Sequence, residues 1–383
     1  MTLRPFAIGP RRDAAPTLMP AAIPSGADAR AFHRSMPGYA RTPLVPVPEL
    51  AARWNVTSVH VKDESARLGL PAFKILGASW AENRALSARS AAPPCATLAE
   101  LAELASSGTP ATLVTATDGN HGRALARMAR LLGLPARIYV PDGLPESTVA
   151  AIESEGATVL DTDEIYDAAV VLAAQSISDD DVLIQDTSWP GYQGVPGWIV
   201  DGYATMFAEI DEQAGGTPAM IAVPTGVGSL LQAALQHYRQ SPTRVLAVEP
   251  VTAACVTASL AAGKPVTVDT SAFTTMAGLN CGTVSTLAWP LIRARLDAGI
   301  GVTDGESAWA AAILRNAGVD SGPCGAASAA GVEAARGVPG AIEALGLDAS
   351  ARLVLLSTEG SGTPQAGGGA SGTAANSVIS DRS

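Results

Sequence analysis

Hydrophobic and polar positions alternate along the middle of the chain in a way that predicts short strands separated by amphipathic helices. Apolar, β-type runs recur there, at 111–116, 136–141, 157–161 and 182–186. The segment 122–132 has apolar side chains at helical spacing and is followed by Gly133, a typical helix stop. Another helix is predicted at 145–156. Strands separated by helices of this length predict a parallel sheet with right-handed crossovers.

A second series of the same kind begins further along the chain. Strands are predicted at 220–224, 244–250 and 352–357, with a helix at 229–238 after the first of them. Two such series predict an α/β fold with two doubly wound lobes, mostly parallel sheets and a cleft between the lobes. Ligands in these folds bind beyond the carboxyl ends of strands, so the side chains at those ends are the candidates for function.

Composition and charge narrow the range of functions. Hydrophobic residues make up 47% of the 383 residues and charged residues 16%, which is typical of a globular α/β enzyme. The formal net charge of −11 repels phosphate backbones and anionic membranes, so neither nucleic acid nor a membrane is an expected partner. The four cysteines and four histidines lack metal-ligand and disulfide spacing, so no metal site is predicted.

The ends of the chain lead to two further expectations. No segment has the apolar length of a membrane span and the first residues lack a signal segment, so a cytoplasmic location is expected. Residues 1–30 and 363–383 contain little that could be buried. We expect both segments to be loosely ordered, the second as a flexible tail.

The first candidate site is the turn after the strand predicted at 111–116. Its glycines allow the backbone to approach a ligand, and the helix that begins there offers free N–H groups. Asp118, Asn120 and His121 project from this turn, which suits an anion or a polar ring. The alternative is an ordinary Asp-Gly turn with an asparagine cap.

Asp186 ends the strand predicted at 182–186. A carboxylate at the end of an apolar strand either caps a turn or faces the cleft. If Asp186 faces the same cleft as Asp118, burial and mutual repulsion raise at least one of the two pKa values toward the range useful for proton transfer.

A glycine loop follows the strand predicted at 220–224. The backbone N–H groups of Gly226, Val227, Gly228 and Ser229, with the helix dipole, can form a cup for a phosphate group. The loop lacks the third glycine of the dinucleotide fingerprint and the Gly-Lys-Ser/Thr of a nucleoside-triphosphate loop. A phosphate held here therefore belongs to a smaller cofactor.

Lys74 lies among apolar and small residues. In a helix, Gly77 and Ala78 would share its face and leave space for a flat ring beside the amine. A lysine partly removed from water loses its proton more readily, and a neutral amine forms a Schiff base with a carbonyl. The alternative is a surface lysine whose stem covers apolar neighbours. Lys62 is followed by two acidic residues and is expected to be solvated.

An amine, a phosphate cup and an acid pair together indicate pyridoxal phosphate. This cofactor requires a Schiff-base lysine, a phosphate site and a partner for its ring nitrogen. Ser357, which ends the strand predicted at 352–357, is the candidate partner. Its neutral hydroxyl would leave the pyridine ring largely unprotonated, a mild electron sink that eliminations at Cβ tolerate.

Seven motifs occur in order along the chain: KDESARLGLPAFKILGASWA, TATDGNHGRALA, IQDTSWPGY, PTGVGS, VEP, TTMAGLNCG and LLSTEG. This set resembles the fold-type II pyridoxal-phosphate enzymes, which include threonine dehydratase and tryptophan synthase β, and within them the 2,3-diaminopropionate ammonia-lyases. The resemblance implies a tryptophan synthase β-like fold and a homodimer. We expect a large cofactor-binding domain at 1–76 and 200–362 and a small domain at 77–199.

The resemblance also implies how the ligands are held. Lys74 would form the Schiff base, Asn120 would contact the ring hydroxyl and the loop 226–229 would bind the phosphate. Ser357 would face the pyridine nitrogen. An amino-acid substrate would place its carboxylate on the turn formed by Thr117, Asp118, Gly119 and His121.

In this resemblance, Asp118 and Asp186 form the acid–base pair. Lys74 and Asp118 would remove the Cα proton from opposite faces, and Asp186 would keep the leaving amino group protonated. Serine and threonine dehydratases generally carry a serine at position 118. The aspartate therefore favours elimination of ammonia from 2,3-diaminopropionate, giving pyruvate and ammonia. The sequence departs from the lyase pattern at Cys324 and its preceding proline and at Ser361, where contact with a substrate is possible.

Three alternatives stay open at this point. A serine or threonine dehydratase would prefer a hydroxyl leaving group and would have little use for Asp118. A β-replacement synthase would add a nucleophile and release a substituted amino acid. A non-catalytic binding protein could share the fold, although the intact Lys74, Asn120 and phosphate loop argue against it.

Overall fold

The computed structural model describes residues 4–10, 27–108 and 110–362. Its strands are β1 (Phe6–Ile8), β2 (Leu44–Pro46), β3 (Ser58–Asp63), β4 (Thr112–Ala116), β5 (Ala136–Val140), β6 (Thr158–Asp161), β7 (Asp181–Leu183), β8 (Met220–Pro224), β9 (Arg244–Pro250), β10 (Ala298–Val302) and β11 (Arg352–Ser357). Its α-helices are α1 (Ala27–Arg34), α2 (Pro48–Trp54), α3 (Lys74–Arg89), α4 (Leu98–Ser107), α5 (Asn120–Leu132), α6 (Glu146–Glu153), α7 (Tyr166–Gln175), α8 (Gly194–Ala214), α9 (Ser229–His237), α10 (Cys255–Ala262), α11 (Trp289–Arg295), α12 (Asp304–Asn316), α13 (Pro323–Arg336) and α14 (Ala341–Leu345). The tail expected at 363–383 lies outside the described residues.

Seven strands form a large sheet in the order β1-β10-β9-β8-β11-β3-β2. Its five central strands are parallel, and β1 and β2 pair antiparallel at the edges. In the middle of the sheet, Leu353 of β11 is paired with Met220 of β8 on one side and Val59 of β3 on the other. All three residues are buried, as expected for an apolar parallel sheet covered by helices.

Four strands form a second, fully parallel sheet in the order β6-β5-β4-β7. The chain runs from β4 outward through β5 and β6 and then returns to place β7 on the other side of β4. The strand order of the large sheet reverses in the same way, with β9 and β10 on one side of β8 and β11 on the other. These reversals open a crevice at the carboxyl ends of the strands, where such folds bind ligands. The expected α/β fold with two mostly parallel sheets is confirmed.

Two local expectations are wrong. Residues 1–30 are not loose throughout, because β1 pairs with the edge strand β10 and α1 begins at Ala27. The strand predicted at 182–186 stops at Leu183. The backbone N–H of Gln185 donates to the hydroxyl of Tyr192 (2.9 Å), and its side-chain oxygen accepts the N–H of Ala116 (2.9 Å). At Gln185, hydrogen bonds that involve side chains thus take the place of the backbone hydrogen bonds of a strand. Asp186 lies in the loop that follows.

Helices α3 and α8 cross at two glycines. A Cβ at Gly202 would lie 2.3 Å from the carbonyl oxygen of Leu76, and a Cβ at Gly77 would lie 2.6 Å from the ring of Tyr203. The space beside Gly77, expected to hold a ligand ring, is therefore filled by α8. Close helix packing, not ligand binding, explains this glycine. Even α8, with 21 residues, is not apolar enough to span a membrane, and neither is any other described helix.

A buried ionic network lies beneath the start of α3. Lys62 is fully buried and donates to Glu209 (2.7 Å) and Gln213 (2.8 Å), so the expectation that Lys62 is solvated is wrong. Arg67 bonds both Glu64 (2.6 Å) and Glu209 (2.8 Å). The two cations and two carboxylates compensate one another, which is what allows these charges to leave water.

Candidate active site

Lys74 is the first residue of α3, and backbone hydrogen bonds hold the segment before it against the end of β11. The N–H of Phe73 donates to the carbonyl of Thr358 (3.3 Å), and the N–H of Gly360 donates to the carbonyl of Pro71 (2.9 Å). Ala72 forms a bridge with Glu359 between these bonds. The lysine is thereby placed at the carboxyl end of β11, an interior strand of the large sheet.

The Lys74 amine forms an ion pair with Asp186, with 2.7 Å between Nζ and Oδ2. Their side chains are 28% and 13% exposed. Burial alone would lower the pKa of Lys74, but the charge of Asp186 outweighs it and holds that pKa well above its usual range. Burial would raise the pKa of Asp186, and the charge of Lys74 instead holds it well below its usual range. The expectation that Lys74 readily loses its proton is wrong here, because a carboxylate compensates its burial.

Asp118 lies in the turn after β4, with its side chain exposed to the cleft. The protein around the cleft keeps most of the water away from this carboxyl, and this burial is the main cause that raises its pKa to about 6; the charge of Lys74 lowers that pKa and the charge of Asp186 raises it. The pKa values of Asp118 and Asp186 are thus shifted in opposite directions, a pattern that separates the roles of two carboxylates in one site.

The other residues of this turn face the protein. The hydroxyl of Thr117 accepts the N–H groups of Gly119 and Gly122, each at 3.0 Å. The His121 ring is buried and its Nε2 donates to the carbonyl of Ile184 (2.7 Å). These contacts fix the turn on the small sheet. The N–H of Gly119 is already bonded, so it is not free to receive a substrate carboxylate as expected from the sequence.

Asn120 begins α5 and reaches across the cleft. Its amide nitrogen donates to Oε2 of Glu359 at 2.9 Å. The other oxygen of Glu359 accepts the backbone N–H of Cys324 (3.3 Å) at the start of α13. Asn120 is thereby held close to the residues that follow β11.

The glycine loop after β8 leads into α9, whose N-cap is Gly228 with φ +104°, a conformation that favours glycine. The first N–H groups of α9 have no partner within the helix, so they can receive an anion. A Cβ at Gly226 would lie 2.9 Å from Sγ of Cys281. The side chain of Cys281 is in turn close to the acid pair, because Asp118 and Asp186 act on its thiol pKa, which burial raises to about 12.

A hydroxyl pair ties this loop to the acid pair. Ser285 donates its backbone N–H to the carbonyl of Val227 (2.8 Å), and its side chain lies 2.8 Å from the hydroxyl of Ser188. Ser188 follows Asp186 by two residues. The glycine loop and Asp186 therefore line the same cleft, although they come from different sheets.

Comparisons with known proteins identify the family. Residues 36–356 match the family described as "Pyridoxal-phosphate dependent enzyme". The chain belongs to this family. It is 34% identical to a diaminopropionate ammonia-lyase of Salmonella typhimurium, covering 88% of this chain and 90% of that one. It is 36% identical to the diaminopropionate ammonia-lyase of Escherichia coli, covering 87% of each. The crystal structure of the Escherichia coli enzyme in complex with D-serine superposes with a TM-score of 0.84, at 32% identity and 94% coverage of both chains.

The residues present fit the cofactor of this family. The glycine loop and the start of α9 offer backbone N–H groups at a helix N-terminus, which suit a phosphate. Ser357 is fully buried, and its hydroxyl donates to Ser321 (2.8 Å). A Cβ at Gly325 would lie 3.0 Å from the Ser357 hydroxyl, so glycine keeps this strand end open. Lys74 supplies an amine on the same strand end. The fold and family expected from the motifs are confirmed.

Two residues of the site were missed in the sequence. Glu359 was quoted only as part of a motif, and its role as the partner of Asn120 required the structure. The hydroxyl of Tyr166, at the start of α7, accepts the side-chain amide of Gln185 (3.2 Å) and lies 3.5 Å from Asp186. The sequence offered one signal for Tyr166, an aromatic residue soon after the end of β6, but the helical periodicity of this segment does not indicate a role for it in the site.

The two departures from the lyase pattern are also located. Cys324 is buried in the first turn of α13, 4% exposed. Ser361 donates its hydroxyl to Asp320. Cys324 is thus directed into the protein, whereas Ser361 lies at the surface.

Proposed function

We propose that this chain catalyses the pyridoxal-phosphate-dependent elimination of ammonia from 2,3-diaminopropionate, giving pyruvate and ammonia. The observation that carries the proposal is the pair of carboxylates, Asp118 and Asp186, that shares a cleft with Lys74 and has opposite pKa shifts. An amine is a poor leaving group unless it is protonated, so a lyase for this substrate needs a group near the β-carbon, here the ionised Asp186, that keeps this amine in its ammonium form. The ammonia-lyases of Salmonella typhimurium and Escherichia coli support this choice of substrate.

Bound pyridoxal phosphate supplies an aldehyde for the amine and an electron sink for a carbanion at Cα. In our proposal the loop 226–229 holds the phosphate and Ser357 faces the ring nitrogen. Asn120 donates to the ring hydroxyl. Lys74 is the amine that the cofactor captures, since of the three lysines in the sequence Lys62 is buried in an ionic network and Lys264 is exposed outside the cleft.

The proton transfers follow from the charges of the site. Once Asp186 pairs with the substrate's ammonium group and no longer holds a proton on Lys74, Lys74 and Asp118 accept the Cα proton from opposite faces of the substrate, which lets both stereoisomers react. Asp186, whose low pKa keeps it ionised, holds the leaving amino group as an ammonium ion. Loss of ammonia and addition of water then give pyruvate and a second molecule of ammonia. Each aspartate contributes about 10²–10⁴-fold to the rate as a general acid or base.

A substrate panel tests this proposal. Purified protein with pyridoxal phosphate is given both stereoisomers of 2,3-diaminopropionate, L-serine and L-threonine, and keto acid and ammonia are measured together. Diaminopropionate should give two molecules of ammonia for each keto acid, whereas serine and threonine give one. A preference for serine or threonine would favour a dehydratase. A substituted amino acid formed with an added nucleophile would favour a synthase.

The captured lysine is tested separately. Borohydride reduction of the holoenzyme followed by peptide mass spectrometry should label the peptide of Lys74. The peptide of Lys264 serves as the internal control, because its side chain is exposed and should stay unlabelled. A label on any other lysine would contradict the assignment of Lys74.

We also propose the domain division, with a large domain at 1–76 and 200–362 and a small domain at 77–199. Strands β4 to β7, which form the small sheet, lie within 77–199, and the other described strands lie within 1–76 and 200–362, which supports this division. The homodimer and the cytoplasmic location stay predictions. Light scattering of the purified protein and cell fractionation test them.

A further inference from the structure

Glu359 joins three parts of the site. Its backbone forms the bridge with Ala72, two residues before Lys74. The residue is only 4% exposed, and its carboxylate accepts one hydrogen bond from each of two helices. Oε2 accepts the amide of Asn120 at the start of α5, and Oε1 accepts the N–H of Cys324 at the start of α13.

The chemistry of this position requires a carboxylate. Both partners are N–H donors, so an acceptor is needed on each of the two side-chain oxygens. A glutamine would place its amide nitrogen against one of the two donors. Both helix N-termini also carry the positive end of a helix dipole, which favours a negative charge between them.

The surrounding backbone makes room for this side chain. A Cβ at Gly322 would lie 3.1 Å from Oε1 and from Cγ of Glu359. Any larger residue at 322 would have to push the carboxylate away from Cys324 or Asn120. Glycine at this position is therefore part of the same arrangement.

We propose that Glu359 is a positioning residue that fixes the amide of Asn120 in the orientation used to hold the cofactor ring. The inference rests on the proposed function, since that proposal gives Asn120 its contact with the ring hydroxyl. The Asn120 amide can rotate about its side-chain bonds, and the bond to Oε2 selects the orientation in which its nitrogen faces Glu359. Without Glu359 the amide loses this preference.

A double-mutant cycle tests the coupling. The dissociation constant of pyridoxal phosphate from the apo-protein is measured by tryptophan fluorescence for Glu359→Gln, Asn120→Ala and the double variant. Loss of one charge-assisted hydrogen bond should weaken cofactor binding about 10-fold in Glu359→Gln. On the Asn120→Ala background the same change should have an effect of about 2-fold or less, because the partner is already absent. A full 10-fold effect on that background would overturn the proposal.

A second readout separates positioning from stability. Burial is the main cause of the raised pKa of Asp118, and the charge of Glu359 adds to it. Glu359→Gln should therefore move the acid limb of the kcat/KM profile to lower pH. Glu359→Asp keeps the charge but shortens the side chain, so it should weaken cofactor binding without moving that limb. This variant also keeps the test decisive if the glutamine variant fails to fold.

The control is Glu343→Gln, on the exposed face of α14, which should leave cofactor affinity and the pH profile unchanged. Equal losses in Glu343→Gln and Glu359→Gln would contradict the proposal. The result of the double-mutant cycle does not depend on which substrate the protein uses, because this cycle measures only cofactor binding. Cofactor that binds normally, with the expected coupling but without turnover of diaminopropionate, would overturn the proposed function and leave the role of Glu359 intact.

Discussion

The crossing of α3 and α8 places Lys74, and one added methyl group at this crossing should disturb it. In Gly202→Ala the new Cβ would lie 2.3 Å from the carbonyl oxygen of Leu76 and 2.9 Å from Cα of Gly77. These are backbone atoms that cannot rotate away. The two helices must therefore separate by about 1 Å to restore ordinary contact distances.

Two costs follow from this separation. Overpacking of a well-packed contact costs about 1–3 kcal/mol. The same carbonyl of Leu76 accepts Nε2 of the buried His33 (3.0 Å), and weakening this bond costs about 1 kcal/mol. Alanine returns less than about 1 kcal/mol through its higher helix propensity. We expect a net loss of about 2 kcal/mol in the free energy of unfolding.

The assay is urea unfolding, followed by circular dichroism and tryptophan fluorescence because a two-lobed chain can unfold in more than one step. Gly197→Ala in the same helix is the matched control, since the nearest atom to its new Cβ is 3.8 Å away. This control should be as stable as the parent or slightly more stable. Gly202→Ala should also lower kcat/KM about 10²-fold, because a shift of about 1 Å misplaces Lys74. Equal unfolding midpoints for the two variants would refute the reasoning.

Three further predictions concern other contacts. Asp118 acts as a base only when ionised, so kcat/KM for the stereoisomer that uses this base should fall as the pH drops below about 6, and Asp118→Asn should lose this limb together with about 10²–10⁴-fold in rate for that isomer; full activity on both stereoisomers would contradict this. Glu209→Gln removes a charge from the buried network and should cost about 3–5 kcal/mol in urea unfolding, whereas Arg53→Ala at an exposed pair should have a much smaller effect; similar losses of stability would argue against the network. Ser188→Ala and Ser285→Ala should each weaken cofactor binding by about 3- to 10-fold. In the double variant the two losses should not add, because both variants remove the same hydrogen bond. Additive losses would mean that this hydroxyl pair does not connect the glycine loop to Asp186.

Local patterns were sufficient for the parts of the fold that depend on a few neighbouring residues. The runs at 220–224, 244–250 and 352–357 coincide with β8, β9 and β11, because short, mostly apolar runs of this length favour buried strands. The glycine loop after β8 was equally readable, since its conformation is decided within the loop.

The errors at the lysines and at Gly77 involve partners that are distant in the sequence. Lys62 was expected to be solvated, but its partner Glu209 is 147 positions away. Gly77 was assigned to a ligand, although it is packed against α8. Lys74 was expected to lose its proton more readily than a solvated lysine, and Asp186, 112 positions away, instead favours its charged form. Nothing near these residues in the chain signals such partners.

The position of β11 has a consequence for how the protein is made. It is the last strand of the described chain, yet it lies between β8 and β3 and is the strand that joins them. During synthesis, β3 must therefore wait for almost the whole chain to leave the ribosome before it gains its parallel neighbour. The backbone that fixes Lys74 waits for the same moment, so a nascent chain that stops before β11 has no complete pocket in which to capture its cofactor.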